Sequence, residues 1–156
     1  MTIEGNQMNR KGEQKPVRMK TVTGAIIVDK KKGVLMVRRA ETEDSLPGFW
    51  ELPGGEKKED ETEEECLKRE VKEELGLDLA GGLNLAPPFT YELDKGSYIE
   101  KATQINFIAG FPSEGKITLS PEHSEYAWVK VEDLDQFIIT TNIKRLLREV
   151  FPQKHD

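Results

Sequence analysis

From residue 21 onward the apolar positions fall into short runs. Val22, Ala25, Ile26, Ile27 and Val28 form one run, a lysine-rich turn ends at Gly33, and Val34, Leu35, Met36 and Val37 form the next. Two such runs around a polar turn predict a buried β-hairpin. A shorter strand is predicted over 49–52, between breaks at Pro47-Gly48 and Pro53-Gly54-Gly55, where the paired glycines permit close backbone approach. Further strands are predicted near 83–93, 98–111 and 126–131.

Twice the period becomes helical. Leu67, Val71 and Leu75 recur every four residues within 62–75, and Ile143, Leu146, Leu147 and Val150 recur at three- and four-residue steps within 141–150. Gly76 follows the first helix as a C′ residue, while Lys68 and Lys72 lie toward the negative end of its dipole. Strands interleaved with two amphipathic helices predict an α/β fold, a mixed sheet with flanking helices.

Residues 1–20 lack this periodicity and read as a flexible N-terminal tail, leaving 21–156 as a single domain. The tail's Arg10, Lys11, Lys15, Arg18 and Lys20 read as a solvated leader in preference to a weak anion-binding arm. Net charge is -6, which argues against general binding to nucleic acid or an anionic membrane and suits a cation instead. The single Cys66 cannot close an internal disulfide, and no apolar stretch has the length of a membrane span, so a cytoplasmic location is expected.

The first helix also has a chemical side. Glu70, Glu73 and Glu74 stand at i, i+3 and i+4, so their like charges share one face and repel unless a hard divalent cation sits among their oxygens. Three glutamates at that spacing alone would describe a solvated surface. Here they belong to a longer pattern over 55–77, in which Gly55, Glu61, Arg69, Glu70, Val71, Glu73, Glu74, Gly76 and Leu77 read G-x5-E-x7-R-E-V-x-E-E-x-G-L.

That segment resembles the signature box of the Nudix hydrolase family, and the Trp-Glu-Leu-Pro-Gly-Gly stretch before it is similar to the family as well. The resemblance implies an α/β/α sandwich and hydrolysis of a nucleoside diphosphate linked to a further group X, with Mg2+ as cofactor and Mn2+ as substitute. It further implies that Glu70, Glu73 and Glu74 bind the cation together with the Gly54 carbonyl, that Glu70 is a candidate base, and that Arg69 and Glu61 brace the loop against the helix. A neutralised phosphate and an activated water are what such a reaction requires. Asp60 and Lys58 depart from the common glycine and acidic residue of the box loop.

Outside the box, Glu122 matches by position a late metal-binding glutamate of the bacterial enzyme that degrades 8-oxo-dGTP, with Glu125 as competitor. Arg39 offers bidentate contact to a substrate phosphate, against a solvated reading. Asn142 resembles that enzyme's base-reading asparagine, against a helix-capping role shared with Thr140 and Thr141. Phe49, Trp50, Phe89 and Tyr91 stack a base or pack in the core. His123 and His155 are too few and too scattered for zinc. The expected activity is Mg2+-dependent hydrolysis of a nucleoside triphosphate, oxidised or not, to monophosphate and pyrophosphate. ADP-ribose or dinucleoside polyphosphate hydrolysis and a non-catalytic nucleotide-binding module are the alternatives. A small-molecule nucleotide is the expected partner, and monomer or homodimer is left open.

Overall fold

The computed structural model describes residues 2–8, 12 and 14–153; Arg10, Lys11 and His155 lie outside the described residues. The strands are β1 (Thr2–Met8), β2 (Gln14–Asp29), β3 (Gly33–Arg39), β4 (Trp50–Glu51), β5 (Asn84–Asp94), β6 (Ile99–Gly110) and β7 (His123–Val129). Among the described residues they form one sheet with the path β4-β3-β2-β6-β5, β1 joining β2 and β7 joining β3. The sheet is mixed: β2 and β6 run parallel from Val17↔Ile99 to Val28↔Gly110, while the other pairs are antiparallel.

The central strands are apolar on both faces, so each face needs a cover. Ala25, Ile27, Leu35 and Val37 pack against Leu67, Val71 and Leu75 of α1 (Glu63–Leu75). On the opposite face Ile26, Val34 and Met36 pack against Ile143, Leu146 and Leu147 of α2 (Thr141–Val150), with Leu134 of a 3-10 segment, Val131–Gln136. Helix, sheet and helix form the α/β/α arrangement.

The hairpin opens soon after its turn. β2 and β3 pair only at Val28↔Val34 and Asp29↔Gly33, and then β3 turns to β4 and β7. Residues 53–57 occupy the gap: Ala25 N–H donates to the Pro53 carbonyl (2.7 Å), Thr23 N–H to the Gly55 carbonyl (2.8 Å), and Lys57 N–H to the Thr21 carbonyl (2.9 Å). This wedge sets the loop preceding α1 directly on the central strand.

Residues 14–20 correct the expectation of a tail that reaches residue 20. They are strand β2, with Val17 3% exposed and β1 paired alongside. The polar side chains that hid the strand are used across it: Lys15 pairs with Asp94 (2.9 Å), Lys20 with Glu100 (3.1 Å), and the Arg18 guanidinium lies 4.2 Å from the centre of the Tyr98 ring. β7 also begins earlier than predicted, and the predicted end of that strand lies in the 3-10 segment. Among the described residues no helix is long and apolar enough to cross a membrane.

Candidate active site

Both ends of α1 are fixed, and with them the angular position of its carboxylates. Thr62 and Glu65 form a reciprocal capping box, Thr62 Oγ1 accepting from Glu65 N–H (3.1 Å) and Glu65 Oε1 accepting from Thr62 N–H (3.0 Å). Gly76 ends the helix at φ 70, where its N–H donates to the Lys72 carbonyl. Thr118 and Ser120 N–H then take the free carbonyls of Leu75 (2.8 Å) and Glu74 (3.0 Å). These bonds draw the 117–122 segment onto the helix end and carry Glu122 toward Glu74.

The result is a cavity of about 290 Å³ whose wall includes Gly54, Gly55, Glu70, Glu74, Glu122 and Arg39. Glu74 is 3% exposed, and it accepts a hydrogen bond from Gly54 N–H (3.1 Å). Burial first, then the charges of Glu51, Glu70 and Glu122, push its pKa up to about 9. Burial likewise raises Glu70, reinforced by Glu73 and Glu122 and opposed by Arg69. Gly55 permits this crowding, because a Cβ there would collide with the Glu70 carboxylate. Gly54, at φ 149, would drive a Cβ into the Thr23 carbonyl.

Arg69 links the loop to the helix. Its guanidinium grips Glu61 with two bonds, Nη2 to Oε1 (2.7 Å) and Nε to Oε2 (3.0 Å), and reaches Glu70 Oε1 (2.8 Å) and the Glu56 carbonyl (3.2 Å). These bonds to Arg69, followed by the Lys58 N–H, hold the Glu61 pKa down to about 2. Glu73 stands apart from its two companions. It is exposed, sits 3.3 Å from Arg69, and does not line the cavity.

Outside the box the competing assignments separate. Glu122 lines the cavity, whereas Glu125 is bound to Arg38 (2.9 Å). Arg39 lines the cavity with its guanidinium oriented by the Ser45 carbonyl (2.7 Å) and by Glu51 (3.3 Å). Asn142 corrects the capping expectation: Thr140 is the N-cap of α2, and Asn142 lies inside the helix. Its side chain lines a second cavity of about 440 Å³, together with Phe49, Trp50, Phe89 and Tyr91. Lys20, Arg39, Glu51, Tyr91, Gln104 and Ile143 line both cavities, which therefore adjoin.

Sequence reasoning set His123 aside as a zinc ligand and gave it no other role. It is 5% exposed, bonds Glu51 Oε2 through Nε2 (2.8 Å), and offers a ring nitrogen within 4.8 Å of oxygens from Glu74 and Glu122. Only its position after Glu122 could have drawn attention to it. The donors suit a hard divalent cation: carboxylates of Glu74 and Glu122 come together in the cavity that Glu70 also lines, and among the described residues no cationic side chain is bonded to Glu74. The Pro53 and Gly55 carbonyls are taken by β2, leaving the Gly54 carbonyl outside that ladder.

The NUDIX domain family model matches residues 18–150. The chain belongs to the Nudix family. The nucleoside triphosphatase NudI of Escherichia coli O139:H28 is 32% identical over 121 residues, covering 73% of this chain and 84% of that one. Among solved structures, the MutT protein from Methanosarcina mazei Go1 superposes with a TM-score of 0.76 at 31% identity, covering 86% of this Nudix chain and 93% of that one. A MutT Nudix hydrolase from Burkholderia pseudomallei gives 0.72 at 25% identity, with 85% and 98% covered.

Proposed function

We propose that this Nudix chain is a Mg2+-dependent pyrophosphohydrolase that converts a nucleoside triphosphate to the monophosphate and pyrophosphate. The observation that carries the reading is the pair of adjoining cavities, one walled by carboxylates and one by aromatic side chains with an amide. A nucleotide has the same division, with charged phosphates at one end and a flat base at the other. The similarity to nucleoside triphosphatases supports the same class.

Glu70, Glu74, Glu122 and the Gly54 carbonyl would hold the cation, which when bound neutralises phosphate oxygens and activates water. Glu70, with its pKa raised by burial, would accept the proton of the attacking water. Arg39, already oriented by Ser45 and Glu51, would meet a phosphate, and Arg69 would hold Glu70 in place. Asn142 would offer the base one donor and one acceptor, which suits an oxidised purine as well as the ordinary one.

The test is a panel of canonical and oxidised nucleoside triphosphates, ADP-ribose and diadenosine polyphosphates, with Mg2+ and product identification. Pyrophosphate with a monophosphate is the expected product pair. Turnover confined to ADP-ribose or the dinucleotides would overturn the triphosphate reading, and no turnover would favour the binding-module alternative.

A further inference from the structure

The six residues common to both cavities lie where the middle of a nucleotide would pass, beside its sugar and first phosphate. Two are cations, Lys20 and Arg39, and suit the phosphate. Glu51 is the carboxylate among the six, and phosphate oxygens would repel it. What it can do is accept a hydrogen bond, and the donors a nucleotide presents at that point are its sugar hydroxyls, for which a carboxylate is a common partner.

The position of Glu51 is fixed from three sides. Its backbone is in β4, paired with Val37 of β3. Its Oε2 bonds both His123 Nε2 (2.8 Å) and Arg39 Nη1 (3.3 Å), so Oε1 takes part in neither bond. His123 is buried, and its Nδ1 has no hydrogen-bond partner among the described residues. A buried ring nitrogen left unbonded calls for an explanation. The bond from the other ring nitrogen to Glu51 supplies one, because a packed apolar residue would avoid the cost and lose the orientation.

We infer that Glu51 reads a sugar hydroxyl of the nucleotide and thereby sets sugar specificity, with His123 as the positioning residue behind it. The inference rests on the nucleotide reading above. Glu51 Oε1, half-buried beside the substrate, loses that donor when the hydroxyl is missing, which disfavours the deoxy analogue at the transition state as well as in binding.

The experiment measures kcat/KM with Mg2+ for one base presented as the ribo, 2′-deoxy, 3′-deoxy and 2′,3′-dideoxy triphosphate. It uses the wild-type chain, Glu51→Ala, Glu51→Gln and His123→Gln, each checked for folding by thermal melting. The wild type is expected to favour the best hydroxyl-bearing substrate over the dideoxy one by roughly 10- to 100-fold, and the two monodeoxy arms identify which hydroxyl is read. In Glu51→Ala the gap should close, the hydroxyl-bearing substrate losing more than the dideoxy one, while the freed Arg39 lowers all four together. Glu51→Gln should retain part of the gap, since its amide oxygen still accepts, and His123→Gln should narrow it without abolishing turnover. This ratio is insensitive to a general loss of folded protein, so His123→Gln still tests the inference if Glu51→Ala does not fold. Equal use of all four substrates by the wild type, or an equal loss on all four in the Glu51 variants, overturns the inference alone. Hydrolysis of none of the four by the wild type defeats the triphosphate reading and the inference with it.

Discussion

Replacing Glu74 with glutamine isolates what burial does to one carboxylate of the site. The side chain is 3% exposed, and its pKa is raised from 4.5 to about 9, by burial above all. The folded chain therefore keeps a proton that the unfolded chain releases near 4.5. That stabilisation is fully present below pH 4.5 and is lost as pH rises through about 9. Within the window the folded-to-unfolded ratio falls about tenfold per pH unit, so from pH 6 to pH 8 this group removes on the order of 3 kcal/mol. Glutamine keeps the shape and the acceptor for Gly54 N–H but does not titrate.

Urea unfolding in the presence of a chelator, at pH 6, 7 and 8, reads the difference directly, because the other titrating groups are common to both proteins. The stability of Glu74→Gln relative to wild type should rise by roughly that amount over the range. Mg2+ should then stabilise the wild type increasingly with pH, since a cation displaces the proton, and should leave the variant almost unchanged. Turnover in the variant should fall by orders of magnitude. Parallel stability curves for the two proteins would refute the reasoning.

Glu73→Gln should cost at least tenfold less in kcat than Glu70→Gln, because Glu73 is exposed and outside the cavity wall; equal losses would show that it swings inward. Arg69→Ala should destabilise the fold by about 2 to 3 kcal/mol in urea titration and also lower kcat, and Arg69→Lys should recover little of either because lysine lacks the two-pronged grip on Glu61. With the Glu61 pKa held down to about 2, the stability it supplies is present above its ordinary 4.5 and lost as pH falls through about 2. The stability gap between wild type and Glu61→Gln should therefore narrow on acidification across that range, and a constant gap would contradict it.

The helices were legible because their patterns are local. The four-residue spacing of Leu67, Val71 and Leu75, the cap at Thr62 and the stop at Gly76 all lie within one short segment. The first half of β2 was not, because its stability comes from partners far along the chain. Lys15 finds Asp94, and Lys20 finds Glu100, so a segment rich in cations looks solvated until β5 and β6 are beside it. At Asn142 the sequence leaves capping and base reading open for a related reason: asparagine caps well, but the helix begins after Thr140, and the asparagine lines the aromatic cavity instead. His123 has no local signature, since its role arises only when β7 lies against β3 and β3 against β4. The motif thus locates the carboxylates, while the residues around them depend on how the strands are assembled.

The wedge of residues 53–57 on β2 has a consequence for motion. Loops that carry catalytic groups usually open at little cost, independently of the rest of the protein. Here the Pro53 and Gly55 carbonyls and the Lys57 amide are bonded to β2, the middle strand of the sheet path, so the loop behaves as an additional short strand. The amides of Thr23, Ala25 and Lys57 should then exchange with solvent deuterium as slowly as those of the sheet core, whether or not a cation is present. Local fraying cannot release such a site. Substrate access must then come from the side chains, with the backbone beneath the carboxylates staying still.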